Sequence, residues 1–401
     1  MSAADNALVH GPALAPNRLL ARLADLGPMP GGASVRVVRA PGRVNLIGEH
    51  TDYNLGFVLP AAIDLEIRIA FVPTTDRRVH LVNDVTGERA SFGLDGIGPS
   101  AGGMSAYVAG TAWALAEAGI RTRGFTGVLA SSLPRASGLS SSAALELATA
   151  WAIAEDPAAI PPLDLARICQ RAENRYVGVN CGLMDQFASA CGVAGSSMLL
   201  DCRSLDWRDV QLPLARYALV AIHTGSTRSL SASAYNARRA QCEAAAAVLA
   251  RDDPCIQSLR DVTPAMLPLV QGRVDEVTYR RCRHVVTENV RVGEAVAALA
   301  VGDGAAVGAL FAASHASLRE DFEVVSPELD ALVEIATSVP GVAAARMTGA
   351  GFGGCTINLV ERDAVGDLRA RVQAEYPGRT GLTPRVYVVE AVAGAGFVAE
   401  G

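Results

Sequence analysis

The sequence predicts an α+β protein built from two domains. Helical and strand-like segments interleave along the 401 residues without a regular period, which argues against a repeat or a barrel. One hydrophobic core stops growing at roughly 250–300 residues, so a chain of this length is expected to divide. The composition, 50% hydrophobic and 19% charged, is that of a globular protein. We therefore predict domains at residues 17–210 and 211–401.

Apolar periodicity and runs of β-branched residues predict the individual elements. Helices are predicted at 17–26, 107–118, 140–155, 163–177, 232–250, 278–300, 305–319, 327–337 and 364–376. Strands are predicted at 34–38, 67–72, 79–83, 124–130, 197–200, 218–223, 343–347, 355–360 and 384–389. The dense polar stretch 43–54 is expected to be a loop.

Charge and composition exclude several kinds of partner. The formal net charge is −6 without a large basic block, so neither nucleic acid nor an anionic membrane is an expected partner. All 35 basic side chains are arginine, which excludes a phosphate-binding lysine of the Walker type. The eight cysteines form no CxxC pair and are expected to be reduced, buried thiols. Without a signal peptide or an apolar run of about 18 residues, the protein is expected to be cytoplasmic.

A first polar constellation lies in residues 43–54. It offers a guanidinium, amides, carboxylates and an imidazole, contributed by Arg43, Asn45, Glu49, His50, Asp52 and Asn54. A sugar is a ring of hydroxyls, and a specific pocket for it requires fixed donors and acceptors of these kinds. An ordinary solvated turn is the alternative interpretation. The density of polar side chains between the apolar anchors favours a binding site.

A second motif joins a predicted strand to the predicted helix at 140–155. Gly138 is followed by Leu139 and then by Ser140, Ser141 and Ser142. Backbone amides at a helix N-terminus, together with hydroxyls, bind phosphate without a lysine, and one hydroxyl can also reach Mg²⁺. A single serine would be explained as a helix cap. Three serines in succession after a glycine exceed that requirement.

Two further segments are less specific by themselves. Asp185 starts a helix and follows Glu173 on the preceding one, and such an aspartate is more often a cap than a catalyst. The glycines at 349, 351 and 354 fit the pattern GxGxxG. The strand-like run that follows them is not the helix that a dinucleotide-binding fold requires. A tight turn and a loop that lets backbone approach a ligand both remain open.

Taken in order, these segments resemble the kinase superfamily of galactokinase, homoserine kinase, mevalonate kinase and phosphomevalonate kinase (the GHMP kinases), and within it the galactokinase family. The run 43–54 is similar to the galactokinase signature nearly residue for residue. The stretches from 138 and from 348 resemble the phosphate loop and the third motif of the superfamily. The resemblance implies an N-terminal domain like the second domain of ribosomal protein S5, a C-terminal ferredoxin-like domain, and a site between them.

The resemblance also implies roles for individual residues. The catalytic pair falls on Arg43 and Asp185. The sugar-binding positions fall on Glu49, His50, Asp52, Gly182, Asp185 and Tyr235. The backbone expected to hold the phosphates of ATP is that of Gly138, Leu139, Ser140, Ser141 and Ser142, and the expected Mg²⁺ ligands are Ser142 and Glu173. Asp185 either removes the proton of the anomeric hydroxyl or orients that hydroxyl. Ala136 stands where the family usually has a glycine in the phosphate loop.

The implied activity is ATP-dependent phosphorylation of galactose at its anomeric hydroxyl. A sugar- and ATP-binding sensor would share the motifs but would be marked by loss of the catalytic pair, and Arg43 and Asp185 are both present. An isoprenoid-type kinase would bind an anion, which Glu49 and Asp52 disfavour. Kinases for N-acetylgalactosamine, arabinose or another epimer stay open, because one pocket contact decides among such sugars.

Overall fold

A mixed six-stranded sheet forms the centre of the N-terminal half in the structure, a computed structural model that describes residues 14–26, 34–99, 102–134, 137–226 and 231–398. Its spatial order is β13-β1-β3-β6-β4-β5. The strands are β1 (Arg36–Asn45), β3 (Pro60–Thr74), β4 (Arg78–Asn83), β5 (Arg89–Gly93), β6 (Gly124–Ser131) and β13 (Gly396–Phe397). The pairing of β1 with β3 shifts register between Pro41 and Gly42, immediately before Arg43. Such irregularities are common beside functional sites because they re-aim side chains.

Helices cover both faces of this sheet. They are α1 (Pro16–Ala24), α2 (Gly103–Glu117), α3 (Ser141–Ile153), α4 (Pro162–Arg171) and α5 (Met184–Cys191). Leucines of α1 pack against Ala70 and Val72 of β3, whereas α3 packs on β1 and β3 from the other side. The Ala- and Leu-rich sequence of α3 is buried on almost every side, which is typical of a central helix. A small second sheet contains β2 (Phe57–Val58), β7 (Ser196–Asp201) and β8 (Trp207–Gln211).

The second half contains an antiparallel four-stranded sheet in the order β10-β11-β9-β12. Its strands are β9 (Tyr217–His223), β10 (Val342–Thr348), β11 (Cys355–Glu361) and β12 (Arg385–Val389). Its helices are α6 (Ser231–Ala250), α7 (Leu267–Val270), α8 (Glu276–Ala300), α9 (Gly304–Glu320), α10 (Pro327–Thr337) and α11 (Val365–Thr380). In β9, Val220 faces the core formed with α10 and α11, while Leu219 faces the main core of the molecule. This alternation follows the two-residue period of a strand, and the strand order is ferredoxin-like.

The two halves are joined through backbone as well as side chains. β13, at the end of the chain, returns to pair with β1, and Ile63 forms a bridge with Ala391. The main hydrophobic core contains residues of both halves, such as Ile69 and Ile357. The domain boundary predicted between residues 210 and 211 falls at the end of β8 and stays a prediction.

The predicted elements are present, and most of their ends differ by a few residues. Two strands are longer than predicted, because β1 continues past residue 38 to Asn45 and β3 begins at Pro60 rather than at residue 67. Two further predictions are wrong in part. Residues 43–45 belong to β1 rather than to a loop, because the strand continues to pair with β3 through Asn45. The helix predicted at 163–177 ends at Arg171, and the chain continues as a π-helical turn, Ala172–Val177. The short strands β2, β5, β8 and β13 lack the apolar periodicity by which longer strands are recognised.

The cysteines are free thiols, as predicted, but they are not uniformly buried. Cys255 is exposed and Cys181 is half-buried, whereas the other six are buried. The expectation of burial is therefore wrong for Cys255, which lies in a polar loop after α6. Among the residues that the structure describes, no helix combines the length and apolar character needed to cross a bilayer.

Candidate active site

Nine of the predicted site residues line one cavity of about 280 Å³. The cavity lies where the loop after β1 meets α3, the π-helical turn, the start of α5 and α6. These nine are Arg43, Glu49, His50, Asp52, Ser142, Glu173, Gly182, Asp185 and Tyr235. The remaining lining residues are Tyr107, Val179, Cys181, Met184, Gly349 and Ala350. The structure thus brings together residues that the sequence places in separate motifs.

The loop after β1 is held in a strained conformation. Gly48 and His50 have positive φ angles of +102° and +65°, and a histidine rarely adopts this region. The Thr51 hydroxyl donates to the Gly48 carbonyl at 2.8 Å, and Asn54 Nδ2 donates to the His50 carbonyl at 2.9 Å. These local bonds fix the turn from which neighbouring side chains reach the cavity.

Arg43 and Asp185 form an ion pair at the cavity. Nε and Nη2 of Arg43 donate to Oδ1 of Asp185 at 2.9 and 2.6 Å, and Nη1 donates to the Gly138 carbonyl. Because both bonds end on the same oxygen, Arg43 leaves Oδ2 of Asp185 unengaged. The side chain of Arg43 is 4% exposed and that of Asp185 is 27% exposed. The capping alternative for Asp185 is wrong, since Leu183 occupies the N-cap position of α5.

Asp52 is a buried carboxylate that faces a second carboxylate. Burial and the charge of Asp185 together raise the pKa of Asp52 to about 6, from an ordinary value of 3.8. Gly182 leaves the space that Asp52 occupies, because a Cβ at Gly182 would lie 2.0 Å from Oδ2 of Asp52. The absence of a side chain at Gly182 is therefore what lets Asp52 take its place in the cavity.

Aromatic rings surround His50 on the opposite wall. Its ring centroid lies 4.5 Å from that of Phe322, 5.7 Å from that of Tyr235 and 5.9 Å from that of Tyr53. Burial keeps the pKa of His50 well below its ordinary value, so the imidazole is neutral. Its Nδ1 lies 3.0 Å from the Tyr53 hydroxyl. When Tyr53 donates this bond, Nε2 carries the ring proton and is a donor.

The N-terminus of α3 is not capped by a serine side chain. Ser140 occupies the N-cap position with a φ of +60°, and its hydroxyl makes no capping hydrogen bond. Capping therefore does not account for this serine. The Leu139 N–H already donates to the Ser137 hydroxyl at 3.3 Å, so that amide of the predicted phosphate loop is engaged within the chain. Ala136, the unusual residue of this loop, lies outside the described residues.

Two buried carboxylates, Glu173 at the cavity wall and Glu146, share one amide group. Nε2 of Gln186 donates to Glu173 at 2.6 Å and to Glu146 at 3.0 Å. Burial and the charge of Asp185 raise the pKa of Glu173 to about 7, and burial beside Glu173 raises the pKa of Glu146 well above its ordinary value. Within the described residues, no group of three or more His, Cys, Asp or Glu side chains is placed to hold a metal. A cation at Glu173 would therefore need further ligands from a substrate or water.

A second cavity of about 390 Å³ adjoins the first. Tyr107 and Ser142 line both cavities, so the N-terminus of α3 stands at their junction. The walls of the second cavity are mostly apolar or uncharged, formed by Ile67, Asn83, Val85, Thr86, Glu88, Gly103, Met104, Leu129, Ser131, Leu133, Ser141 and Leu145. The second cavity therefore reaches Ser141 and Ser142, two of the residues predicted to bind phosphate.

The glycine-rich turn between β10 and β11 makes close backbone contacts. Gly349 has a φ of +84°, and a Cβ at this position would lie 2.8 Å from the Gly138 carbonyl oxygen. The Gly349 N–H donates to Oε1 of Glu49 at 3.1 Å. The turn thus contacts both the predicted phosphate loop and the sugar loop, the segment 46–56 between β1 and β2. The strand that begins at Cys355 stands where a dinucleotide-binding fold has a helix, which excludes that alternative.

Comparison with known proteins decides the family. Residues 31–73 match the family model described as the galactokinase galactose-binding signature, and residues 106–193 and 295–378 match the GHMP kinase N-terminal and C-terminal domains. The galactokinase of Roseiflexus sp. (strain RS-1) is 45% identical over 363 residues, which cover 90% of this chain and 93% of that protein. The chain belongs to the galactokinase family.

Solved structures confirm the fold predicted for this galactokinase-family chain. The crystal structure of Lactococcus lactis galactokinase complexed with galactose matches with a TM-score of 0.85 and 38% identity, covering 90% of this chain and 95% of that one. Methanococcus jannaschii mevalonate kinase shares the fold, with a TM-score of 0.62 and 17% identity over 90% of this chain and all of its own. The two-domain α+β GHMP kinase fold is therefore confirmed.

The sequence motifs of the galactokinase family do not reveal every residue at this site. Tyr107 lies within an apolar helix, and Arg346 is a lone basic residue in a strand, so neither carries a local signal. Glu288, in α8, contacts the sugar loop from the other half of the chain. Cys181 and Met184 are adjacent to Gly182 and Asp185, and proximity in the sequence would have indicated them.

Replacement of Asp52 by Asn is expected to stabilise the free protein at alkaline pH. The folded state binds the Asp52 proton more tightly than the unfolded chain, so ionising this carboxylate destabilises the fold as pH rises from about 4 to about 6. At about 1.4 kcal/mol per pH unit, Asp52→Asn should raise the free energy of unfolding at pH 8 by up to about 3 kcal/mol. Urea unfolding at pH 5 and pH 8 measures this.

The control for this change is Asp95→Asn, whose carboxylate is 76% exposed beside Arg77. It should leave stability within about 0.5 kcal/mol, as is usual for a surface substitution. An Asp52→Asn protein that is less stable than the wild type at pH 8 would contradict the assigned pKa.

Replacement of Gly182 by Ala is expected to destabilise the fold and displace Asp52. The new methyl group would overlap the Asp52 carboxylate, and overpacking of this kind costs about 1–3 kcal/mol. Gly293→Ala is the matched control, because a Cβ there meets nothing within 4 Å and Gly293 lies inside α8. The control should gain about 0.5–1 kcal/mol from higher helix propensity. Equal effects of the two substitutions in urea unfolding would refute the steric argument.

Proposed function

We propose that this chain transfers the γ-phosphoryl group of ATP to the anomeric hydroxyl of galactose, giving galactose 1-phosphate and ADP. The observation that carries the proposal is the Arg43–Asp185 ion pair at the wall of the first cavity. Ser142 lines both this cavity and the second one, so the two cavities meet there. Membership of the galactokinase family supports the activity. The galactose-complexed relative from Lactococcus lactis supports the choice of sugar.

In the proposed reaction, Asp185 acts on the anomeric hydroxyl. Oδ2 of Asp185, which Arg43 leaves unengaged, accepts the proton of that hydroxyl. The anomeric oxygen bonds to the γ-phosphorus, and the bond from the γ-phosphorus to the bridging oxygen of ADP breaks. Arg43 keeps Asp185 oriented and stabilises charge on the group in transfer. A loose transition state asks little of a base, so the proton need not leave the hydroxyl before phosphoryl transfer begins.

The proposed sugar pocket matches a neutral polyol. Glu49 and Asp52 offer acceptors, neutral His50 offers an N–H, and Tyr235 lines the same cavity with an aromatic ring that carries a hydroxyl. Two carboxylates at the wall disfavour an anionic substrate of the isoprenoid kind. Discrimination among galactose, N-acetylgalactosamine and arabinose rests on single contacts worth roughly 1–3 kcal/mol.

We assign ATP to the second cavity and its phosphates to the start of α3. Residues 138–142 supply three hydroxyls and, apart from the engaged Leu139 N–H, backbone amides at a helix N-terminus, which attracts anions without any lysine. The base and ribose would occupy the space of about 390 Å³ between α2 and β6. The γ-phosphate would then lie at Ser142, the residue that faces both cavities.

The residues at Ser142 and Glu173 fit a magnesium ion that also contacts the phosphates. Mg²⁺ prefers hard oxygen ligands and usually binds through one or two carboxylates plus substrate phosphates and water. Burial and the charge of Asp185 raise the pKa of Glu173 to about 7, and a bound cation would oppose both effects. When bound, Mg²⁺ would neutralise charge on the phosphates. We propose Ser142 and Glu173 as its protein ligands.

We further propose that the working partners are the small molecules alone, in the cytoplasm. The net charge of −6 disfavours binding to nucleic acid or an anionic membrane. Free thiols at each cysteine position suit a reducing compartment, and ATP is the proposed substrate.

Turnover should depend on Asp185. We expect ADP release with Mg²⁺-ATP and galactose, and a fall in kcat of about 100-fold or more for Asp185→Asn, which removes the proton acceptor. A coupled ADP assay across galactose, N-acetylgalactosamine, arabinose and glucose measures both the reaction and its preference. Asp164→Asn, a 55% exposed aspartate, is the control and should keep full activity.

The kinase proposal would be refuted if no sugar led to ADP release although calorimetry showed saturable binding of sugar and ATP. That outcome would favour the sugar- and ATP-binding sensor. Turnover that survives in Asp185→Asn would refute the role of Asp185 alone.

Replacement of Glu173 by Gln should weaken Mg²⁺ binding while leaving the protein folded. Loss of one carboxylate ligand is expected to raise the Mg²⁺ concentration for half-maximal turnover by about 10-fold or more. Binding of a non-hydrolysable ATP analogue, titrated at several Mg²⁺ concentrations, gives a readout independent of turnover. Glu320→Gln, at a side chain 65% exposed, is the control. An unchanged Mg²⁺ requirement would remove Glu173 from the metal site.

A further inference from the structure

Arg346 is a fully buried cation next to the sugar loop. It extends from β10 in the C-terminal sheet, and its side chain is 0% exposed. Nη1 donates to the Leu46 carbonyl at 2.6 Å, and Nη2 forms an ion pair with Glu49. The guanidinium carbon lies 5.7 Å from the ring centroid of Phe311. One side chain of the C-terminal half thus contacts both backbone and carboxylate of the loop after β1.

Glu288 completes the buried charge network from α8. One of its oxygens lies 3.6 Å from Nη2 of Arg346 and also accepts bonds from the Gly48 N–H at 3.0 Å and the Ser314 hydroxyl at 2.6 Å. Its other oxygen accepts from Nε of Arg291 at 2.7 Å. Although burial opposes the charge, the two arginines lower the pKa of Glu288 to about 2. Glu288 is therefore anionic, and Arg346 compensates its charge as well as that of Glu49.

Glu49 depends on this network for its charge and direction. Its side chain is 1% exposed, and burial raises the pKa of Glu49 while the charge of Arg346 opposes that rise. The Gly349 N–H binds Oε1 at 3.1 Å, and Nε2 of His284 lies 3.1 Å from the Glu49 backbone carbonyl. Without Arg346, Glu49 would face Glu288 in a desolvated site, where a carboxylate takes up a proton or turns away.

We infer that Arg346 is a positioning residue for sugar binding, which acts by keeping Glu49 ionised and directed at the sugar cavity. The inference rests on the proposed function, in which Glu49 accepts a hydrogen bond from a sugar hydroxyl. Arg346 itself does not line the cavity, so in this inference it acts on the sugar through Glu49 alone. A C-terminal strand thereby sets the affinity of a site that the sequence places in the N-terminal half.

The test is a double-mutant cycle on galactose affinity, measured by titration calorimetry. Arg346→Gln and Glu49→Gln are each expected to raise the Kd for galactose about 10-fold or more, the usual scale for loss of an orienting partner. The double variant Glu49→Gln/Arg346→Gln should bind galactose as Glu49→Gln does, because Arg346 has no other route to the sugar. The Kd for a non-hydrolysable ATP analogue should stay within about 3-fold throughout.

Arg291→Gln is the matched control from the same network. It removes a cation from Glu288 at a side chain 13% exposed but makes no contact with Glu49 among the described residues. Its Kd for galactose should stay within about 3-fold of the wild type, whatever its effect on stability. Arg346→Lys keeps the charge and should recover part of the affinity that Arg346→Gln loses.

Each failure has a distinct meaning. If Glu49→Gln weakens galactose binding but Arg346→Gln does not, the inference is overturned and the proposed function stands. Additive losses in the double variant also overturn it, since Arg346 would then act by another route. If the wild type binds no sugar, the proposed function itself fails. If Arg346→Gln does not fold, the test uses Arg346→Lys and the double variant Glu49→Gln/Arg346→Gln instead. A double variant that binds galactose more weakly than Glu49→Gln then refutes the inference.

Discussion

The sugar site depends on charge compensation between the two halves of the chain. Removing an ion from water costs several kcal/mol, and the cost is offset only by a well-placed partner of opposite charge. Arg346 of β10 supplies that partner to Glu49 of the loop after β1, and Glu288 of α8 holds the same loop through the Gly48 amide. Both contacts hold the loop against elements of the C-terminal half. The residues that bound the site thus also form part of the interface between the halves.

The cavity wall around Asp185 also holds two buried carboxyl groups, those of Asp52 and Glu173. Asp52 and Glu173 have raised pKa values because each is buried and each faces Asp185. Arg43 is already paired with Asp185 and also holds the Gly138 carbonyl. Such a site favours ligands that bring hydroxyl donors or a cation with them. Because these carboxyl groups are already fixed in place, they need little rearrangement when a ligand binds or reacts. This is the principle of electrostatic preorganisation.

Three of the seven described non-glycine residues with a positive φ angle lie in the motifs of the site. His50, Ser140 and Phe352 have positive φ angles of +65°, +60° and +59°, each in a different motif at or beside the site. A non-glycine residue in this region costs of order 1–3 kcal/mol and persists only where surrounding contacts determine it. The π-helical turn that carries Glu173 is a further departure from regular structure. The stable sheets and helices beneath these loops make such conformations tolerable.

The sequence by itself determined the local chemistry. Apolar periodicity is a property of neighbouring residues, so it predicted most helices and longer strands, and motif density predicted that residues 43–54 and 138–142 serve binding. Only the tertiary structure decided that Arg43 leaves one oxygen of Asp185 unengaged, that Asp52 titrates near pH 6 and that Arg346 contacts Glu49. Each of these depends on burial or on contacts between residues far apart in the chain. Desolvation and long-range pairing have no local signature, because both arise only when the sheets pack.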